Sequence, residues 1–318
     1  MNGPAEAEAG VDLGVDLGSI RLPNPVVTAS GTFGHGDEVA RLCDPSRLGA
    51  VTVKSLASFP WPGNPALRVT EAAGGGMLNS IGLAGPGVDH WISDDLPRLE
   101  ARGARVIASV WGRTIDEYAA AAAPLKRVAD RVVAVEVNLS CPNVEERSAV
   151  FAHACEPTAA AVGAVVDALG ASVPVLAKLS PNVTDVCAVA GAALDAGATG
   201  LTLINTVMGL VIDADARRPA LGGGGGGLSG PPIKSVALRT VWEVSRAFPS
   251  TPIIGTGGVA SGVDAAEMML AGATAVGVGT ATFAEPRAAL RVLDELRSWC
   301  ARHGVRRAKD LVRALEDR

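Results

Sequence analysis

The stretch VVAVEVNLS, residues 132–140, is apolar along most of its length and ends in Asn138 and Ser140. An apolar run of this length with no polar face predicts a strand that is buried on both sides, as the strands of parallel sheets are. Runs of the same kind recur along the chain, at residues 25–31, 50–55, 105–112, 173–180, 200–206, 252–258 and 275–281. Ala-rich segments with helical spacing separate them. This alternation favours an α/β fold, a (β/α)8 barrel of parallel strands, over a doubly wound open sheet.

One of the intervening segments, residues 184–196, shows how the helices are delimited. Thr184 or Asp185 can cap its start, and Gly197 follows its last turn. Residues of these types are the ones preferred at helix N-termini and just beyond helix C-termini. The segment is therefore predicted to be a helix between two barrel strands.

The C-terminal ends of the strand runs carry polar residues or glycines. These are Ser30, Lys54, Ser109, Asn138, Lys178, Asn205, Gly257–Gly258 and Gly279–Thr280. In a barrel all these ends meet on one face, where active sites are built. Ordinary loop polarity accounts for Ser109 and Thr280. It accounts poorly for Lys54 and Lys178, because a lysine just inside a barrel mouth needs an anionic partner. The pattern predicts an active site at the C-terminal face.

Composition limits the other classes of function. The chain has 318 residues, of which 48% are hydrophobic, and its formal net charge is −5 with no cluster of Lys and Arg. We expect a flexible acidic lead over residues 1–16 and a single domain over residues 17–318. No nucleic-acid surface is expected. Since neither a secretory signal nor an apolar run of 18 or more residues is present, a cytoplasmic protein without a membrane anchor is expected.

The cysteines indicate a reducing compartment. They are odd in number and scattered: Cys43, Cys141, Cys155, Cys187 and Cys300. No Cys-x-x-Cys pair occurs, and the histidines are isolated. We therefore expect no zinc or iron–sulfur site in this chain. Cys187 and Cys300 lie in helical patterns and are interpreted as packing residues.

Two glycine-rich turns at the last strand ends suggest a phosphate site. IIGTGGVASG, residues 253–262, leads from a strand through a turn into a predicted helix, and VGVGTA, residues 276–281, follows one unit later. Successive backbone N–H groups in such turns bind phosphate. GTGGVA also fits the loose dinucleotide fingerprint, but the match is weak because no acidic residue for a ribose follows on the next strand. The glycine run 222–227 is interpreted as a flexible loop.

Asparagine side chains and a thiol complete the candidate site. Asn79, Asn138 and Asn205 offer both donors and acceptors, which suits a planar heterocycle with alternating carbonyl and N–H groups. Cys141 is a nucleophile or a base beside such a ligand. A nucleophilic cysteine normally has a histidine close by, and the nearest in sequence, His153, lies in a segment whose position the pattern does not define. The role of base is preferred.

Taken in order, the motifs resemble those of the dihydroorotate dehydrogenase family, from about Leu17 to about Glu285. The matching motifs are NPVVTASGTFGHG, GNPALRV, GGMLNSIGLAGPG, NLSCPNV, KLSPNV, LINTVMG, GGLSGPPIK, GTGGV and GVGTA. The resemblance implies a barrel that binds one FMN per chain and oxidises dihydroorotate to orotate in pyrimidine synthesis.

The resemblance also assigns roles to single residues. Cys141 corresponds to the base that takes a proton from the substrate ring while a hydride passes to FMN, and Lys178 to a positive charge near the flavin N1. The positions that match substrate contacts are Lys54, Asn79, Ser80, Ile81, Gly82, Leu83, Asn138, Asn205 and Thr206. Those that match FMN contacts are Ser30, Lys54, Ser55, Asn138, Lys178, Ile204, Gly230, Gly257, Gly258, Gly279 and Thr280. The sequence departs from the family at Ser109, where an asparagine that touches the flavin is usual.

Cys141 and the short acidic N-terminus argue against the membrane-bound branch of the family, which uses serine as its base. Of the two soluble branches, one is a homodimer that reduces fumarate. The other joins a homodimeric core to a second subunit with FAD and an iron–sulfur cluster, in a heterotetramer that reduces NAD⁺. GGMLNSIGL, KLSPNV and LINTVMG resemble the NAD-linked branch more closely.

Other functions stay open at this point. Lys178 at a barrel mouth would suit a flavin-free lyase that forms a Schiff base. A pyrimidine dehydrogenase acting on uracil-like substrates, and a non-catalytic binding subunit, are further alternatives. The last would leave Cys141 without a role.

Overall fold

A computed structural model describes residues 10–140 and 151–316 of the chain. Its strands are, in chain order, β1 (Val15–Leu17), β2 (Ile20–Leu22), β3 (Val26–Thr28), β4 (Val51–Thr52), β5 (Val69–Ala72), β6 (Gly76–Asn79), β7 (Val106–Val110), β8 (Ala134–Asn138), β9 (Val175–Leu179), β10 (Gly200–Leu203), β11 (Val207–Gly209), β12 (Ile212–Asp213), β13 (Arg218–Pro219), β14 (Gly226–Ser229), β15 (Ile253–Thr256) and β16 (Ala275–Val278). Its α-helices are α1 (Val88–His90), α2 (Leu96–Ala101), α3 (Ile115–Ala122), α4 (Cys155–Leu169), α5 (Val186–Asp195), α6 (Lys234–Ala247), α7 (Gly262–Ala271), α8 (Ala281–Ala284) and α9 (Ala288–Arg302). A π-helical segment, Trp91–Asp95, joins α1 to α2. Short 3₁₀ segments cover Pro45–Arg47, Ala73–Gly75, Ala123–Arg131, Phe151–His153, Gly170–Ser172, Pro231–Ile233 and Ala308–Leu311.

The central sheet is a closed parallel barrel. Its eight strands are hydrogen-bonded in the order β3-β16-β15-β10-β9-β8-β7-β4. The first and last strands of this order also meet, because Val27 bridges Ala50 and the Thr28 N–H donates to the Ala50 carbonyl at 3.2 Å. Going round the barrel, neighbours in space are neighbours in sequence, without the reversal of order that defines a doubly wound sheet. The predicted (β/α)8 barrel is confirmed, and a strand lies within every predicted run.

Local sequence signals set the helix limits where they were expected. The Asp185 side chain accepts a hydrogen bond from the Ala188 N–H at 2.9 Å and caps α5. The helix stops at Asp195, and Gly197 follows it with a φ of 101°. Strands β7, β8 and β9 are buried at every position, so their inward and outward side chains both pack, inside the barrel and under the helices.

The chain packs against the barrel before the predicted boundary at residue 17. Val11 and Leu13 are buried, and β1 pairs with β2 in an antiparallel hairpin. Asp12 is fixed to the C-terminal segment: its N–H donates to the Arg306 carbonyl, and its carbonyl accepts from Ala308 N–H. Apolar residues between the acidic ones of this segment account for the packing, since they alternate in the way that a half-buried strand requires.

A smaller antiparallel sheet lies on the chain segments that follow the barrel strands. Its strand order is β11-β14-β6-β5. The interpretation of residues 222–227 as a flexible loop is wrong at its C-terminal end, because Gly226 and Gly227 belong to β14, where Gly226 pairs with β11 and Gly227 pairs with both β6 and β11. A Cβ built on Gly227 would lie 2.1 Å from the Thr206 hydroxyl oxygen. A run of glycines has no hydrophobic pattern, so the sequence carries no signal for this strand. The absence of a side chain at Gly227 is what lets β14 approach Thr206.

Across the described ranges, none of the helices is long and apolar enough to span a membrane.

Candidate active site

A cavity of about 1100 Å³ opens at the C-terminal ends of the barrel strands, beneath the small sheet. Most of the predicted site residues line it. They are Ser30, Lys54, Asn79, Ile81, Lys178, Ile204, Asn205, Thr206, Gly230, Gly257, Gly258, Gly279 and Thr280. Among the described lining, Ser55, Ser80, Gly82, Leu83 and Asn138 do not occur. The fold thus gathers side chains from distant parts of the chain, as the polar strand ends predicted.

Two of the residues that do not line the cavity support those that do. Asn138 and Ser55 are buried just behind the cavity wall. The Asn138 amide donates to the Ser55 hydroxyl at 3.0 Å, and its carbonyl oxygen accepts from the Asn205 amide at 3.1 Å. Ser55 in turn lies 3.3 Å from the Ser30 hydroxyl. These bonds fix the orientation of the Asn205 amide, which faces the cavity.

The segment Asn79–Leu83 forms one wall at the end of β6. The Asn79 amide donates to the Gly227 carbonyl at 3.2 Å, and the Ser80 hydroxyl accepts from Asn64 at 2.8 Å. Gly82 has a φ of 71°, and a Cβ there would lie 2.5 Å from the Asn64 backbone nitrogen. Only glycine fits this turn, which brings Asn79 and Ile81 to the cavity while Ser80 points away.

The glycine turns predicted to hold a phosphate lie side by side. Gly257 and Gly258 follow β15 with φ values of 125° and 75°, and Gly279 and Thr280 follow β16. A Cβ on Gly258 would lie 3.0 Å from the Lys234 backbone nitrogen, so the close contact between this turn and the start of α6 requires glycine. Both turns line the cavity together with Gly230, and backbone at this approach suits a phosphate group.

Lys54 and Lys178 both line the cavity, Lys54 from the segment after β4 and Lys178 from β9. Lys54 is half-buried, and its backbone N–H donates to the Gly34 carbonyl at 2.9 Å. Lys178 is buried, with 8% of its side chain exposed, and its ammonium lies 4.0 Å from the Glu136 carboxylate. The lining also includes Glu71, Glu285 and Arg291, so the two ammonium groups provide local contacts for an anionic ligand within a lining of mixed charge.

Glu136 was missed by the sequence analysis. It lies two residues before Asn138 on β8, and side chains two apart point to the same face of a strand. An acidic residue at an inward position of a buried strand was the available signal. Thr202 is likewise a polar residue on a buried strand, β10, and its hydroxyl donates to Glu136 at 2.9 Å.

Ser109, the position that departs from the family pattern, is fully buried and does not line the described part of the cavity. Its hydroxyl lies 3.0 Å from the Ser55 hydroxyl and donates to the Glu136 carboxylate at 3.3 Å. Ser109 therefore belongs to the polar interior of the barrel.

His35 is a further cavity residue that the sequence analysis did not select. The Glu38 carboxylate accepts from its backbone N–H at 3.1 Å, and its carbonyl accepts from the Trp91 indole at 2.8 Å. Its Nε2 atom is buried and has no hydrogen-bond partner among the described residues. Burial lowers the pKa of His35; the nearby Lys54 charge acts in the same direction, while Glu38 opposes it.

Cys141, the predicted base, lies outside the described residues. The chain that leads to it is held in place, because the Asn138 side chain accepts from the Ser140 N–H at 3.2 Å. Cys187 and Cys300 lie in α5 and α9, as their helical patterns predicted, and burial raises the pKa of both thiols. Across the described ranges, no group of three or more His, Cys, Asp or Glu side chains is placed to hold a metal ion.

Comparison with known proteins agrees with this architecture. The sequence model of the family "Dihydroorotate dehydrogenase" matches residues 12–299. The chain belongs to the dihydroorotate dehydrogenase family.

Relatives in bacteria align over almost their whole length. The chain is 47% identical over 305 residues to a protein of Geotalea daltonii, covering 96% of this chain and 98% of the relative. It is 47% identical over 307 residues to one of Pelobacter propionicus, covering 96% and 99%. Both are named dihydroorotate dehydrogenase B (NAD(+)), catalytic subunit. A solved structure of DHODH from Eimeria tenella in complex with ferulenol has the same fold, with a TM-score of 0.78, 23% identity, and coverage of 95% of this chain and 88% of that one.

The hydrogen bond from the Tyr118 hydroxyl is predicted to stabilise the position of Asn138. Tyr118 is buried, and its hydroxyl donates to the Asn138 carbonyl at 2.7 Å, while its ring packs against Phe151 at 5.3 Å. Tyr118→Phe keeps the ring and removes the bond, so we expect the free energy of unfolding to fall by about 1–3 kcal/mol. Urea denaturation measures the free energy of unfolding of the parent and of the variant. Thr282→Val is the matched control, because the buried Thr282 hydroxyl has no partner among the described residues and its loss should cost nothing. Equal losses in the two variants would contradict the role given to Tyr118.

The lowered pKa of His35 predicts a pH dependence of stability. As the pH falls below the ordinary value of 6.5, the unfolded chain takes up a proton at this position before the folded protein does. Protonation then favours unfolding, so stability falls from pH 6.5 toward the lower pKa of the folded state. His35→Gln should show a smaller loss of melting temperature between about pH 8 and pH 5 than the parent protein. The exposed His303→Gln serves as control, and identical acid profiles for the parent and His35→Gln would count against the prediction.

Proposed function

We propose that this chain is the catalytic subunit of an NAD-linked dihydroorotate dehydrogenase, which oxidises dihydroorotate to orotate in pyrimidine synthesis. The observation that carries the proposal is the cavity at the barrel mouth, where two lysines, an anchored amide cluster and two glycine turns meet. It occurs in a chain that is 47% identical, over nearly full length, to relatives with this name.

The proposed substrate is an anionic heterocycle with ring carbonyl and N–H groups, and the cavity offers groups for both of these features. The Lys54 ammonium suits the carboxylate. The amides of Asn79 and Asn205 suit the ring carbonyl and N–H groups, because each amide both donates and accepts. Thr206 is held by Asn182, whose amide donates to the Thr206 carbonyl at 3.0 Å. Asn138 orients Asn205 from behind, and Ile81 adds an apolar contact beside Asn79. We assign Ser80, Gly82 and Leu83 to the shape of this wall.

The remaining lining suits FMN. Gly257–Gly258, Gly279–Thr280 and Gly230 would hold the phosphate through backbone N–H groups. Ser30, Lys54, Lys178 and Ile204 would contact the ring system, and Ser55 would support Ser30. FMN bound there would supply the hydride acceptor that side chains lack. The cavity of about 1100 Å³ is large enough for this cofactor beside a substrate.

Cys141 is assigned the role of base, on the resemblance of NLSCPNV to the family motif. A cysteine thiol ionises close to neutral pH and a serine hydroxyl does not, so Cys141 would supply a thiolate as the base. Asn138, three residues earlier in sequence, would position the substrate beside it.

Electrons leave the site through a partner subunit in this proposal. That subunit would carry FAD and an iron–sulfur cluster and would reduce NAD⁺. The word subunit in the names of the relatives supports a partner. We place the assembly in the cytoplasm, in keeping with the scattered, unpaired cysteines.

A homodimeric core is supported by exposed apolar side chains on and next to the small sheet. Met208, Leu210 and Ile212 are 68%, 56% and 62% exposed. Large apolar side chains in such a group are typical of surfaces that pair with another chain.

The first test of the proposal is anaerobic reduction of the purified protein. We expect a yellow protein whose flavin band bleaches with dihydroorotate and does not recover with NAD⁺ or fumarate alone. Adding the partner subunit should allow recovery with NAD⁺. Recovery with fumarate alone would assign the chain to the fumarate-linked class. A colourless protein that borohydride inactivates in the presence of substrate would instead indicate a Schiff base on Lys178.

Cys141→Ser tests the base. This variant should keep its flavin and its melting temperature but lose about 10²–10⁴ in the rate of flavin reduction, which is the usual contribution of a positioned base. Stopped-flow absorbance under anaerobic conditions measures the rate. Cys155→Ser, in an exposed residue at the start of α4, is the matched control and should reduce at the parental rate. An unchanged rate in Cys141→Ser would remove that thiol from the mechanism.

Met208→Glu tests the homodimer. A charge in the centre of an apolar contact should convert the dimer to monomers in sedimentation velocity. Val263→Glu, at an exposed position of α7, should leave the dimer intact. A parent protein that sediments as a monomer would exclude the homodimeric core.

A further inference from the structure

Glu136 is a buried carboxylate to which the proposed mechanism gives no role. Only 2% of its side chain is exposed. It points into the barrel from the middle of β8, on the same face as Asn138. An ionised group in such a position is costly unless hydrogen bonds and an opposite charge compensate it.

Side chains from neighbouring strands provide those hydrogen bonds. Ser109 on β7 donates to Oε1 at 3.3 Å, and Thr202 on β10 donates to Oε2 at 2.9 Å. Each carboxylate oxygen thus has its own hydroxyl donor, so the orientation of Glu136 is fixed. The Ser109 hydroxyl is itself tied to Ser55, and through it to the amide cluster of the cavity wall.

The opposite charge is Lys178. Its ammonium lies 4.0 Å from Glu136 Oε1, with 8% of the lysine side chain exposed. At that distance the carboxylate attracts the ammonium without taking up its N–H groups in a hydrogen bond. Lys178 lines the cavity and Glu136 lies behind it, so the lysine separates the carboxylate from any bound ligand.

We propose that Glu136 is a positioning residue that holds the Lys178 ammonium at the floor of the cavity and balances its charge, thereby setting the reduction potential of the bound cofactor. The inference rests on the proposed function, because it takes the occupant of the cavity to be a flavin. A positive charge near the N1 side of a flavin favours the reduced, anionic form. Glu136 moderates this effect by keeping the net charge of the pair close to zero.

Single charge changes separate this role from simple packing. Glu136→Gln keeps the shape and an acceptor for the hydroxyls but leaves Lys178 uncompensated. The equilibrium constant for reduction of the flavin should therefore increase at least tenfold. For a two-electron couple this corresponds to a rise of about 30 mV in the midpoint potential. Lys178→Gln should lower the potential. The double variant, with no charge at either position, should lie between the two single variants.

Thr202→Val is the matched control. It removes one hydrogen bond to Glu136 in the same barrel layer without changing the charge. Its equilibrium constant for flavin reduction should stay within a few-fold of the parental value. A Glu136→Gln potential that is unchanged, lower than parental, or no higher than that of Thr202→Val would overturn the proposal. If Glu136→Gln does not fold, the double variant is compared with Lys178→Gln and should have the higher potential; equal potentials would overturn it as well.

A measurement on flavin-free protein keeps the two proposals apart. Removing the partner of a buried charge is destabilising, so Glu136→Gln should unfold at lower urea than the parent, and adding Lys178→Gln should restore part of the loss. A protein that shows this coupling but never binds FMN would refute the proposed function and with it the redox role of Glu136. A protein that binds FMN and is reduced by dihydroorotate, with no coupling and no shift in potential, would refute the role of Glu136 alone.

Discussion

The side chain of Asn138 ties together the segments that follow three barrel strands. It donates to Ser55, after β4, and accepts from Asn205, after β10, while it stands itself at the end of β8. Its own carbonyl is held from outside the barrel by the Tyr118 hydroxyl. Because an amide can donate and accept at once, one residue fixes both neighbours. The orientation of the polar groups in the cavity depends on this bridge.

Below this bridge the barrel interior is unusually polar. Ser55, Ser109, Glu136 and Thr202 form a continuous chain of hydrogen bonds from the cavity wall down to the acidic group. Such a chain is stable only when its members are satisfied, and a half-satisfied one costs more than an apolar core. The serine at position 109 fits this requirement, since its short hydroxyl reaches both Ser55 and Glu136 without entering the cavity.

Much of this arrangement could be predicted from the sequence, because its cause is local. Runs that are apolar on both faces, such as residues 132–140, predict buried parallel strands. In a barrel the C-terminal ends of all the parallel strands lie on the same face. Lys54, Lys178 and Asn205 were found in this way. Residues whose position depends on contacts between distant segments were not. His35 belongs to a loop, and the partners of Glu136 are contributed by β7 and β10, which no pattern within β8 indicates. Strand β14 was not predicted for another reason. It begins in a run of glycines, and glycines give no hydrophobic periodicity from which a strand could be predicted.

The two lysines of the cavity would serve different partners under the proposed function. Lys178 has a fixed carboxylate behind it, so its charge is moderated before any ligand arrives. Lys54 is half-buried against Gly31, and its charge is one of the causes that lower the pKa of His35. Under the proposed function the Lys54 ammonium would contact the substrate carboxylate, and a charge-assisted contact of this kind is stronger than one between neutral groups. The proposed cofactor gains charge only on reduction, and the moderated charge of Lys178 would suit it, because excess positive charge would hold the reduced form and hinder the transfer of electrons onward.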